Sequence, residues 1–248
     1  MMLPIIGITC GRLQGLSWAP NLLTSLANAV HEEYANAVFE SGGVPILIPV
    51  DQNAETVSAL MERIDGLLLT GGADIHPCRY NEEPHKNIGS IDNKRDEMEF
   101  LALKSAWERN IPVFGVCRGH QFINVFFKGS LYQDIPAQME GAFCHSQVSE
   151  KNINTHTVSI ENGSLLHRIL KKDRLLVNSK HHQSVKTVGV GIKVIAKTDD
   201  GIVESIERPS RPFFMSVQWH PECTFKTDPD SRKIFSAFIQ AANGNYPD

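Results

Sequence analysis

A chain of 248 residues with a formal net charge of −4 and an ordinary globular composition is long enough to build a sizeable α/β core. That balance gives nucleic acid no electrostatic footprint, no basic run suits an anionic membrane, and no apolar stretch reaches membrane-spanning length. The five cysteines, Cys10, Cys78, Cys117, Cys144 and Cys223, are odd in number and scattered, which argues against a disulfide framework and fits a reducing cytoplasm. Met1 to Gly7 lacks the basic start and long apolar core of a signal peptide and reads as a first strand. Neither CxxC nor HExxH occurs, so neither a metal nor another cofactor is expected.

In chain order, Pro4 to Thr9 reads as a buried strand and Cys10 to Ser25 as a polar loop. A helix is expected from Asn28 to Glu40, stopped by Gly42-Gly43. A second buried strand, Val44 to Val50, precedes a helix over Ala54 to Arg63, whose Val57, Leu60, Met61 and Ile64 share one face. Gly66 to Leu69 is a third strand, ending at Thr70-Gly71-Gly72. The irregular stretch Cys78 to Asp92 has the length of a lid. A helix over Asn93 to Asn110, a strand over Pro112 to Val116 and a helix over Gln121 to Lys128 follow. Strands alternating with helices predict a mostly parallel, flavodoxin-like α/β sheet with helices on both faces, and ligands beyond the carboxyl ends of its strands.

The second half differs. Thr155 to Ile160, Leu175 to Val177, Ile192 to Ala196, Ile202 to Ile206 and Phe213 to Val217 are short strand candidates, read as antiparallel additions to the sheet. Leu165 to Leu170 and Ser231 to Ala242 read as helices. No repeat, low-complexity segment or linker interrupts the sequence, so residues 1–248 are expected to form one domain.

The run Gly115-Val116-Cys117-Arg118-Gly119-His120-Gln121 sits between a strand and a helix, the layout of a nucleophile elbow. Glycines two places either side of Cys117 let strand and helix approach, and the helix N-terminus favours thiolate over thiol. Cys117 therefore reads as a nucleophile. Its base is expected at His220 in Val217-Gln218-Trp219-His220-Pro221-Glu222, just past an apolar strand, with Glu222 placed to orient the imidazole. The tetrahedral intermediate needs two preorganised donors. The Arg118 amide follows from elbow geometry, and Gly71-Gly72 at a neighbouring strand end can supply the other. His181-His182, after another strand candidate, reads as a substrate-pocket or supporting loop.

The G-x-C-x-G-x-Q elbow and the Q-W-H-P-E block together resemble the class I glutamine amidotransferase family. Further pieces make the chain most similar to its γ-glutamyl-γ-aminobutyrate hydrolase branch of cysteine peptidases. They are Gly71 to Pro77 with Tyr80, Arg95-Asp96 with Glu99, Gly129 to Asp134, and Val177-Asn178-Ser179 with His181-His182-Gln183. The resemblance covers nearly the whole chain. It implies Cys117, His220 and Glu222 as a triad, and an oxyanion hole at Gly72 and Arg118. The implied reaction is hydrolysis of a small-molecule γ-glutamyl amide through a thioester, with Gln121, Arg118, Asn178, Ser179 and His181 as candidate contacts to the substrate. One departure is visible: Lys128-Gly129 stands where the family usually carries Gly-Gly. A glutaminase subunit feeding ammonia to a synthetase, or a silent binding protein of the same fold, would share most of these marks. The sequence leaves a homo-oligomer open.

Overall fold

The five strands of the parallel half all end at the same edge of the sheet, where the elbow lies. The computed structural model describes residues 2–14, 26–50 and 53–246. The N-terminal half runs β1 (Ile5–Thr9), β2 (Gly11–Gln14), β3 (Leu26–Ala29), α1 (Glu32–Glu40), β4 (Val44–Ile48), α2 (Ala54–Met61), β5 (Gly66–Leu69), α3 (Asn93–Arg109), β6 (Val113–Val116) and α4 (Arg118–Phe126). There follow β7 (Ser130–Tyr132), α5 (Ile135–Gln138), β8 (His156–Ile160), α6 (Leu165–Leu170), β9 (Arg174–Val177), β10 (Ser184–Thr187), β11 (Lys193–Thr198), β12 (Val203–Glu207), β13 (Phe214–Val217), α7 (Pro221–Thr224) and α8 (Pro229–Ala242).

Nine strands form one sheet in the order β4-β1-β5-β6-β13-β12-β11-β8-β9. Pairing is parallel from β4 to β13 and antiparallel from β13 to β9. Alternating side chains feed two cores. Ile6, Ile8, Leu68, Phe114 and Met215 meet α1, α6 and α8 on one face. Leu67, Leu69, Val113 and Phe214 meet α2, α3 and α4 on the other. The expected doubly covered, mostly parallel sheet with antiparallel additions is what the chain forms, except that β13, expected among those additions, pairs parallel with β6 at the centre of the sheet. Among the described residues no helix is long and apolar enough to cross a membrane.

Some local expectations need correction. The loop expected from Cys10 contains β2, which pairs antiparallel with β3; the rest of it, residues 15–25, lies outside the described residues. The helix expected from Asn28 begins at Glu32, after an extended His31, and Glu32 and Glu33 complement its dipole there. The strand from Val44 is not buried throughout. It lies at the sheet edge, with Val44, Ile46 and Leu47 more than a third exposed. The long loop before α3 is tied down: Asp74 N–H donates to Ser90 O (2.8 Å), Gly89 N–H to Asp74 Oδ2 (2.7 Å), and His85 N–H to Gln133 Oε1 (2.8 Å).

Candidate active site

The elbow turns on Cys117, whose φ of 52° and ψ of −103° lie outside the regions side chains prefer. What holds it there is packing on both sides. Cys117 N–H donates to Val217 O at 2.8 Å, so the turn is pinned to the strand that leads to His220. A Cβ on Gly115 would stand 2.8 Å from Ile123 Cδ1 and 2.9 Å from the Gly119 backbone, and one on Gly119 would stand 2.3 Å from Leu69 O. Any larger residue at either place would push α4 off β5 and β6. Helix α4 therefore begins at Arg118, directly after the cysteine and three residues before the expected start at Gln121.

His220 follows β13 and sits beside the turn. Its Nδ1 is 2.7 Å from Glu222 Oε1; a carboxylate accepts, so Nδ1 carries the proton and the tautomer is set. Burial would lower the pKa of His220. The charges of Glu222 and Cys117, and the ring's hydrogen bonds to both, outweigh it and hold the imidazole well above its usual range. Asn178 fixes the His220 backbone: its Oδ1 accepts from His220 N–H at 2.8 Å and its Nδ2 donates to His220 O at 2.9 Å.

The end of β5 supplies the opposing wall. Gly71 N–H donates to the Tyr34 hydroxyl at 3.0 Å, which leaves the Gly72 amide as the available donor of the pair. A Cβ on Gly71 would lie 3.2 Å from His220 Cε1 and 3.6 Å from Cys117 Cβ, so this turn touches both residues. Gly72 has φ +147°, and a Cβ there would come within 2.2 Å of Arg95 Nη1. Arg118 offers its amide at the first position of α4, where backbone N–H groups lack helical partners.

A buried ion network ties these two strand ends together. Arg95 donates to Thr70 O at 3.0 Å, to Thr70 Oγ1 at 2.9 Å, and to Glu99 Oε1 at 2.9 Å. The Arg118 guanidinium pairs with Glu99 and Asp96, and Asp96 Oδ2 accepts from His76 N–H at 3.0 Å. All four charged groups are almost completely buried. Burial pushes the Glu99 carboxyl up, but the charges of Arg118 and Arg95 and the hydrogen bonds to them hold it below its usual range. The Arg118 side chain is thus committed to the scaffold, and the expectation that it meets a substrate charge is corrected.

The other expected substrate contacts are also spoken for by protein. Gln121 Nε2 donates to Gln183 O and Gln218 Oε1, each at 3.1 Å. Asn178 clamps His220, Ser179 Oγ donates to His145 O at 2.7 Å, and His181 Nδ1 lies 2.9 Å from Gln183 O. All four are at least nine-tenths buried. None lines the cavity of about 940 Å³ that opens at His220 and Glu222, although Lys180, in the same loop as Ser179 and His181, does. The cavity is walled by Gly71 and Gly72, by Arg12, Leu13 and Leu26, and by Ser90, Ile91 and Asp92 from the loop before α3. Arg12 Nε donates to Asp92 Oδ2 at 2.8 Å across its rim. Tyr34, absent from the expected set, lines it too; as a lone tyrosine in a helix it carried no sequence signal.

This geometry can be set beside known proteins. The peptidase C26 family model matches residues 4–222.

The chain belongs to the peptidase C26 family.

It is 40% identical over 214 residues to the glutamine amidotransferase-like protein YvdE of Lactococcus lactis, covering 86% of this chain and 87% of that one. It is 32% identical over 251 residues to the γ-glutamyl-γ-aminobutyrate hydrolase PuuD of Escherichia coli, covering 96% and 93%. The fold matches the glutaminase domain of Trypanosoma brucei CTPS, solved with bound acivicin, at a TM-score of 0.64, with 19% identity, over 98% of this chain and 94% of that one. The protein is thus a class I glutamine amidotransferase-like hydrolase of the C26 family.

Proposed function

We propose that the protein hydrolyses γ-glutamyl amides to glutamate and an amine, through a γ-glutamyl thioester on Cys117. The observation that carries the reading is the line Cys117–His220–Glu222, in which a carboxylate fixes the imidazole tautomer beside a sulfur at a helix N-terminus, with His220 and Glu222 lining a cavity. The likeness to PuuD supports the γ-glutamyl part.

Cys117 Sγ attacks the side-chain carbonyl carbon. The negative charge moves to the carbonyl oxygen, between the amides of Gly72 and Arg118; one such donor contributes roughly 3–4 kcal/mol of transition-state stabilisation. The C–N bond breaks as His220 gives its proton to the departing nitrogen. Water then adds to the thioester carbonyl and leaves its proton on His220. The C–S bond breaks, glutamate departs, and the starting thiolate–imidazolium pair returns. Glu222 keeps its charge throughout and stabilises the imidazolium.

The test is a panel of γ-glutamyl conjugates differing in the amine, with glutamate measured as product. Release of glutamate from one or more members, lost in Cys117→Ala, supports the reading. Turnover that survives Cys117→Ala would contradict it.

A further inference from the structure

Away from the cysteine, four side chains from four separate segments of the antiparallel half converge. Glu204 lies on β12, His156 opens β8, His181 follows β9, and His145 lies in the segment before β8. Glu204 Oε1 is 3.5 Å from His145 Nδ1, 3.6 Å from His156 Nε2 and 3.4 Å from His181 Nε2. None of these approaches is a hydrogen bond, and all four atoms are buried without a hydrogen-bond partner. The side chains of His145, His181 and Glu204 are nearly inaccessible, at 1%, 2% and 0% exposure. Unpaired buried polar atoms are costly, and several facing one another need a reason.

The outer nitrogens supply it. His145 Nε2 is 3.0 Å from Asp200 Oδ2, and His181 Nδ1 is 2.9 Å from Gln183 O. A carboxylate and a carbonyl only accept, so each of those nitrogens carries a proton. In the neutral rings the inward nitrogens, His145 Nδ1 and His181 Nε2, then present bare lone pairs to a carboxylate oxygen. With the rings neutral that arrangement repels, and either a metal ion between them or a second proton on a ring removes the repulsion. Holding the outer N–H of a ligating histidine on a carboxylate or carbonyl is also the usual second layer of a metal site. The spacing agrees: bonds of about 2.0–2.1 Å at tetrahedral angles put neighbouring ligand atoms roughly 3.3–3.4 Å apart. His145, His156 and Glu204 offer ligand atoms that all lie within 4.8 Å of one another, and His181 Nε2, outside that group, joins it through Glu204 Oε1 at 3.4 Å. A divalent ion would balance the charges of Glu204 and Asp200 with three neutral imidazoles.

We propose that His145 Nδ1, His156 Nε2, His181 Nε2 and Glu204 hold one divalent transition-metal ion, with zinc best suited to three imidazoles and a carboxylate. The site is structural and takes no part in the hydrolysis. It braces the loops behind the catalytic strand: Gln218 N–H donates to Glu204 O at 2.7 Å, His181 N–H to His145 O at 3.1 Å, and Asn178, three residues before His181, clamps His220. Its ligands are scattered along the chain, so no local pair such as CxxC or HExxH announces it.

Elemental analysis of the purified full-length protein, stripped with a chelator, titrated with zinc and desalted, tests this. The expected result is uptake of about one zinc per chain, with a rise in melting temperature. His156→Gln and Asp200→Asn, checked for folding by circular dichroism, should weaken uptake by about 10–100-fold. Cys223→Ala, which disables the other ligand-like group at His220, Glu222 and Cys223, should keep it. No uptake by the stripped wild type would overturn the proposal. So would uptake that ignores His156→Gln and Asp200→Asn but vanishes in Cys223→Ala. Should both site variants unfold, X-ray absorption of the zinc-loaded wild type decides: nitrogen and oxygen neighbours at about 2.0–2.1 Å support the site, and a sulfur at about 2.3 Å refutes it.

Discussion

Asn178 holds the backbone of His220 from both sides, accepting from its N–H at 2.8 Å and donating to its carbonyl at 2.9 Å, across 42 positions of sequence. The imidazole can swing only as far as that clamp lets its backbone move. Asn178→Ala should therefore lower kcat by about 10–100-fold with little change in KM, since a small misplacement of a catalytic group is enough to cost that much. Steady-state kinetics on a γ-glutamyl substrate, with melting temperature as control, would check it. A rise in KM at unchanged kcat would instead mark Asn178 as a substrate contact.

Tyr34 occupies a comparable place on the opposite wall. It is 2% exposed, and its hydroxyl takes the Gly71 N–H. Burial, and then the charge of Glu222, raise its phenol well above the ordinary range, so it stays a neutral hydroxyl at every working pH. Tyr34→Phe leaves the Gly71 amide unpaired and frees the turn that sets Gly72. The expected loss is about 1–3 kcal/mol of stability and a fall in kcat/KM on the order of tenfold. Thermal unfolding and kinetics of the same preparation measure both.

The pH dependence has a definite sign. Burial opposes protonation of His220, but the charge of Glu222 and then that of Cys117 raise its pKa well above 6.5. Its contribution to stability is therefore complete below that unfolded value and is lost as pH rises through the folded one. The same proton is needed by the leaving amine, so kcat should fall along an alkaline limb set by His220. Glu222→Gln removes the larger raising charge and should bring that limb toward neutrality. A pH–rate profile with an unmoved limb would show that Glu222 does not govern the imidazole.

Lys128 explains the one departure from the family pattern. Gly129 N–H donates to Asn124 O and Lys128 N–H to Val125 O, each at 2.9 Å, and Lys128 has φ 70°. This is the Schellman closure of α4, with lysine at the left-handed position that glycine usually fills. Its side chain is exposed. Lys128→Gly should stabilise the protein by about 0.5–1 kcal/mol, the left-handed strain relieved less the greater chain entropy of glycine. Denaturant unfolding at unchanged m-value is the measurement.

Much of this was legible in the residues because it depends on short-range rules. The unbroken apolar runs Leu67-Leu68-Leu69 and Val113-Phe114 betray a sheet covered on both faces, and glycines two places from Cys117 betray a tight strand–helix junction. The Gln218 to Glu222 block likewise brings an imidazole and the carboxylate that fixes its tautomer into one short run. What was not legible depends on where distant segments meet. Tyr34 reaches Gly71 only because α1 packs on β1 and β4, and β1 pairs with β5. Asn178 turned out to face the His220 backbone rather than the cavity because β9 lies at the far edge of the sheet while its following loop returns to the centre. The exposure of β4 follows from its position at the other edge, which its apolar sequence hides.

The most direct test of the mechanism is intact-mass and peptide mass spectrometry of the enzyme quenched in acid during turnover of a γ-glutamyl conjugate. A γ-glutamyl group on Cys117, at up to one per chain and converted to free glutamate on a longer chase, is the predicted result. Steady release of glutamate with no acyl group ever found on Cys117, undiminished in Cys117→Ala, would contradict it.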